Sequence, residues 1–144
     1  MYGRFVLLLA FALPASTWSN ACVIPGLRHE VTFADGSATL SGSDVRSLTH
    51  WYVSLRDGPL GIDRISVSAY SIKGDDQSAA LVKARVNAVT ELVGTLGNGA
   101  PIPLTPSVVA IDRPGAEQFP ELLIAVQPKC AMTQSCCSAN PNLR

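Results

Sequence analysis

Residues 62–96 read IDRISVSAYSIKGDDQSAALVKARVNAVTELVGTL, and the period of the apolar positions changes partway along. From Ile62 to Ser71, Ile65, Val67 and Ala69 alternate with Ser66, Ser68 and Tyr70, the two-residue period of a strand with one apolar face. Gly74-Asp75-Asp76 then forms a loop and supplies an N-cap candidate. Beyond it, Leu81, Val82, Val86, Val89, Leu92, Val93 and Leu96 recur at three- and four-residue steps, which predicts a helix from about Gln77 to Leu96 with a broad apolar face. Gly97-Asn98-Gly99 ends it. A helix with that face needs a sheet to cover it, so the stretch sets the architecture.

The same unit stands upstream. Arg28 to Phe33 alternates, with Val31 and Phe33 on one side, and reads as a strand whose His29 lies on the surface. Asp35-Gly36-Ser37 is turn chemistry. A first helix is predicted from an N-cap at Ser43, with Asp44 in its first turn and Val45, Leu48, Tyr52 and Leu55 as its core stripe. Asp57-Gly58-Pro59 stops it, glycine taking a left-handed cap and proline refusing to continue.

Downstream, Pro101 to Pro106 reads as a stiff linker. Ser107 to Ile111 reads as a third strand closed by Asp112-Arg113-Pro114-Gly115, and Glu121 to Val126 as a fourth. The order β-α-β-α-β-β implies an α+β fold: a two-layer sandwich with two helices on one face of a mixed four-stranded sheet. Right-handed crossovers make the strand–helix–strand units parallel where their strands are neighbours.

The N-terminus reads as an export signal. Arg4 supplies a positive charge, Phe5 to Leu13 is an unbroken apolar run, Pro14 breaks it, and Ser19-Asn20-Ala21 offers small residues before a cut. The run is too short to span a bilayer, which takes about 20 helical residues. The chain therefore divides into a signal peptide (1–21), a lead-in (22–30), one domain (31–127) and a cysteine-containing tail (128–144). The expected location is the periplasm.

The whole chain carries 11 basic and 11 acidic residues. Loss of Arg4 leaves ten basic residues, a formal charge of −1. No basic field exists to hold nucleic acid, and no polybasic run exists to hold anionic lipid. Cys22, Cys130, Cys136 and Cys137 remain after the cut, and an even number in an exported chain favours disulfides. Their pairing stays open, with Cys22 expected to tie the N-terminus to the tail. Cys22 has a second reading as the acylated cysteine of a lipoprotein attached to the outer membrane, although Ser19 stands where a lipobox carries leucine. The cysteine spacings fit no zinc template.

Two short motifs carry a family resemblance. Phe33-x-x-x-Ser37-Ala38-x-Leu40 resembles the opening signature of the OmpA-like, peptidoglycan-associated domain family. Leu81-x-x-x-Arg85-x-x-x-Val89 is similar to that family's helix-two motif. Element order and spacing agree from about Val31 to Val126, so the chain resembles a degenerate member. The resemblance implies a periplasmic module in which a carboxylate ending strand two and an arginine on helix two clamp the diaminopimelate of a peptidoglycan stem peptide. An Asp would take the ammonium group and Arg would fork onto the carboxylate.

Arg85 falls on the arginine position. Ser71 stands where the family has its aspartate, with Asp75 and Asp76 as substitute acids just beyond. Ser78 stands where the family has asparagine, and Pro120-Glu121 where it has an arginine pair. These replacements imply that peptidoglycan binding is weak or lost. The alternative is a protein-interaction subunit of an envelope assembly that docks an envelope protein partner through the same fold and the cysteine tail.

Nothing in the sequence suggests an enzyme. There is no glycine-rich phosphate loop, no Gly-x-Ser-x-Gly elbow, no glycosidase carboxylate pair and no Cys-x-x-Cys. Trp51, Tyr52 and Tyr70 read as core aromatics rather than a sugar platform. No cofactor is expected.

Overall fold

The computed structural model describes residues 24–97, 102–112, 121–133 and 135–136. The expected signal peptide, Cys22, residues 113–120 and Cys137 lie outside them. In chain order the elements are β1 (Arg28–Val31), α1 (Gly42–Arg56), β2 (Arg64–Ile72), α2 (Asp76–Leu96), β3 (Leu104–Ile111), β4 (Leu122–Gln127) and a short α3 (Lys129–Met132). The four strands form one sheet in the order β1-β4-β2-β3. β4 lies antiparallel between β1 and β2, and β3 runs parallel to β2, as the crossover rule requires of the β2–α2–β3 unit. The fold is α+β with a mixed four-stranded sheet.

The strand alternation becomes a core because the sheet register carries it from strand to strand. Ile65 faces Val126, Val67 faces Ile124 and Ala69 faces Leu122, and all six side chains are buried. Val82, Val86, Val89 and Val93 of α2 and Leu48 and Tyr52 of α1 close over them. Leu55 of the expected α1 stripe, and Leu92 and Leu96 of α2, pack half-buried against that core, while Val45 and Leu81 are half-buried.

Several local expectations are corrected. The N-cap of α1 is Ser41, whose hydroxyl accepts from the Asp44 N–H at 3.1 Å. Ser43 falls inside the helix, because Ser41 is the first residue able to place an oxygen over the exposed N–H groups. Gly58 does not take a left-handed cap: Asp57 caps α1 in a right-handed conformation. Glycine is required because a Cβ at Gly58 would lie 2.6 Å from the Ser54 carbonyl.

The expected linker is partly strand, since β3 begins at Leu104 and includes Pro106. β3 lies at the sheet edge, and a proline survives there when its missing N–H would have pointed off the sheet. In the cysteine-containing tail, α3 follows Pro128, and Cys130 is bonded to Cys136.

His29 lies on an edge strand, as its place in β1 makes it, but its side chain is half-buried rather than on the surface. Its register with Ile124 puts it on the helix side, where its ring stacks on Trp51 at 5.1 Å between centroids. Trp51 donates its indole N–H to the Gly26 carbonyl at 2.7 Å, so β1 and the lead-in are tied to α1. Burial lowers the His29 pKa, and Asp44 offsets part of that shift. The folded state then holds His29 neutral where the unfolded chain would take up a proton. Its contribution is present above the unfolded value and is lost as pH falls below about 6.5 through the depressed folded value. Equilibrium unfolding from pH 7.5 to 5 should show that decline, and His29→Gln should flatten it.

Tyr52 is 1% exposed and its hydroxyl has no hydrogen-bond partner; burial pushes the phenol pKa up. A buried hydroxyl without a partner costs about 1–3 kcal/mol of desolvation. Tyr52→Phe keeps the ring and removes that cost. It is expected to leave stability unchanged or raise it by about 1 kcal/mol, read from denaturant midpoints at constant slope.

Candidate functional site

The ends of β1 and β2, the beginning of β4 and the beginning of α2 meet at one end of the sheet, where the family resemblance places a ligand. The side chains there fall into two sets.

The first set caps α2. The Asp75 carboxylate accepts from the Ser78 N–H at 2.9 Å, and the Ser78 hydroxyl accepts from the Ile72 N–H at 3.4 Å. Asp75 therefore satisfies one of the open N–H groups of α2 and places a negative charge at the positive end of the helix dipole. Asp76 follows in the first turn, exposed. Ser71 is 5% exposed, on the helix side of β2. At the position to which the resemblance assigns an aspartate, it is a buried neutral residue.

The second set is built around Arg85. It lies on α2 between Val82, Val86 and Val89, and is itself only 8% exposed. Its Nε donates to the Ser37 carbonyl at 2.8 Å and an Nη donates to the Ala34 carbonyl at 3.2 Å. The other Nη lies 3.6 Å from the Glu121 carboxylate. The guanidinium sits over the Phe33 ring, 4.9 Å from its centroid. Glu121 also accepts from the Phe33 N–H at 2.8 Å, which joins the start of β4 to the chain leaving β1.

The loop that Arg85 grips is shaped by its own sequence. The Ser37 N–H donates to the Ala34 carbonyl at 2.9 Å. Gly36 takes φ +66, a left-handed conformation that favours glycine. The Thr39 N–H donates to the Ser37 hydroxyl. The turn thus presents two carbonyls towards α2, and the planar fork of Arg85 reaches both.

The two motifs that sequence treats separately are therefore in contact: Phe33, Ala34 and Ser37 of the first surround Arg85 of the second. Glu121 stands in the sequence only as a replacement for the family's arginine pair, and its place beside Arg85 was not foreseen. A signal for it existed, since an arginine inside a valine stripe needs an internal partner, and Glu121 is the acid directly before the apolar run of β4. Among the described residues, no group of three or more His, Cys, Asp and Glu side chains could hold a metal ion. No helix among them is long and apolar enough to cross a membrane.

No protein-family model matches the chain, and no curated protein matches it.

Proposed function

We propose that this chain is a non-catalytic periplasmic cell-envelope module that resembles OmpA-like peptidoglycan-binding domains, with peptidoglycan binding weak or lost. The observation that carries the reading is what Arg85 is bonded to. Its donors go to the chain's own Ala34 and Ser37 carbonyls, and Glu121 lies beside it. A stem-peptide carboxylate would have to displace those contacts and approach the Glu121 carboxylate. Ser71 offers an ammonium group no charge.

The test is co-sedimentation of the purified protein with sacculi. The protein is expected to remain in the supernatant. Pelleting that a diaminopimelate-containing stem peptide competes away would overturn the reading.

Anchoring turns on Cys22. Cys130 is already bonded to Cys136, so acylation of Cys22 would leave Cys137 as a free thiol. A Cys22–Cys137 disulfide would leave none. An acylated chain whose Cys137 enters an intermolecular bond also shows no free thiol, so the intact mass of the reduced protein, raised by the acyl groups in a lipid-anchored form, separates that form from an unacylated one.

A second reading, docking of an envelope protein partner, is favoured by the sheet face away from the helices. Tyr70, Ile72, Leu123 and Ala125 lie there half-buried. A fixed partner that co-purifies, and is lost when the residues after Pro128 are deleted, would support it.

A further inference from the structure

We infer that the outer edge of β3 pairs antiparallel with the same edge of a second copy of this chain. The two edges of the sheet are managed differently. β1 is 4 residues long and carries Arg28, His29 and Glu30. Shortness and charge are the ordinary protections of an edge strand. β3 is 8 residues long, LTPSVVAI, and carries no charge. Val108 and Val109, 40% and 47% exposed, are two of the three exposed large apolar residues among those described. Within β3 itself, Pro106 is the residue that blunts this edge.

The direction of the backbone groups follows from the ladder. The Ile65 N–H donates to the Pro103 carbonyl, and the Lys73 N–H donates to the Ile111 carbonyl. Odd-numbered residues of β3 therefore turn to β2. In a parallel pair the alternate residues, Leu104, Pro106, Val108 and Ala110, turn their N–H and C=O groups outward. Pro106 sits where a missing N–H costs β2 nothing, consistent with this assignment.

A second copy fits this edge because the strand is self-complementary. A two-fold axis at Val108 sets Val108 against Val108 of the second copy, Pro106 against Ala110 and Leu104 against Asp112. No charge opposes a like charge, and on the helix side Pro106, Val108 and Ala110 meet apolar partners while Leu104 meets Asp112 at each end. Pro106 loses one donor on each side of the axis, while the Ala110 N–H opposite still reaches the Pro106 carbonyl. The pair is an isologous dimer with one continuous eight-stranded sheet. Both helix layers lie on the same side of it, and the two Arg85 ends point in opposite directions.

Analytical ultracentrifugation of the protein, expressed from its full-length sequence and purified as the cell processes it, tests this over a hundredfold concentration range. The wild type is expected to shift from monomer to dimer. Ala110→Pro removes one outward N–H without breaking the β2 ladder, and Val108→Lys places a charge on the axis. Each is expected to weaken association about tenfold or more, because every change acts twice across a two-fold. Circular dichroism should stay unchanged, and Val108→Lys, on an already exposed position, serves if the proline variant fails to fold. A wild type that is monomeric throughout overturns the inference. So does a dimer that a folded variant leaves intact, since it would use another surface.

Discussion

Arg85→Ala is expected to lower the unfolding free energy by about 3 kcal/mol, the net loss of two charge-assisted hydrogen bonds after water partly replaces them. For a domain of this size that is a fall of roughly 15 °C in melting temperature. The loss reaches across three elements. Without the guanidinium, the Ala34 and Ser37 carbonyls lose their link to α2, and Phe33 loses the cation over its ring. Glu121 is 42% exposed and can turn to water, so it adds little to the cost. Arg85→Lys should recover only part of the stability, because an ammonium group is a point charge and cannot fork to two carbonyls. Denaturant unfolding of both variants checks this. An Arg85→Ala protein as stable as wild type would mean that the contacts contribute nothing net, and that the arginine is free for a ligand.

Ile124→Ala should cost slightly more, about 4 kcal/mol, from lost burial and the cavity left behind. Ile124 is fully buried in β4, between the register partners Val67 on β2 and His29 on β1. A cavity there lies in the middle of the sheet, where neighbours on both sides are held by ladder hydrogen bonds and cannot collapse inward. Leu123→Ala is the control. It removes a side chain of similar size one residue away, from the half-buried opposite face, and should cost about 1 kcal/mol or less. Similar losses for the two would mean that the face assignment of β4 is wrong.

The contrast between those neighbours shows which features were legible from sequence. In β2 the alternation of Ile65, Val67 and Ala69 with Ser66, Ser68 and Tyr70 is strict, because one face meets helices and the other does not. In α2 the valines mark the buried seam residue by residue. His29 was misplaced because a single imidazole in a short strand carries no periodic signal. Its face is decided by pairing with Ile124, nearly a hundred residues away. Pro106 was misplaced for a related reason: proline argues against a strand unless the strand is an edge, and edge position belongs to the sheet. Gly58 was assigned to the right element for the wrong cause, since a local rule cannot see the Ser54 carbonyl in its path.

For the candidate site the division is sharper. Arg85, Ser71, Asp75, Asp76 and Ser78 were named through the resemblance to the OmpA-like family, and the topology does bring their elements to one end of the sheet. Their bonding could not be read that way. Asp75 and Ser78 close a helix cap, which is local chemistry and was half visible in Gly74-Asp75-Asp76. The partners of Arg85 lie 48 and 51 residues away in a turn, together with an acid on another strand. By itself the sequence determined the element order, the apolar faces and the expectation of an exported chain, because those depend on composition and on periods of a few residues. Only the tertiary structure decided that β4 inserts between β1 and β2, that β3 is an edge of the sheet among the described residues, and that Arg85 grips its own chain. Each of these depends on which distant backbone groups meet, and hydrogen-bonding groups carry no record of their partners in the local sequence.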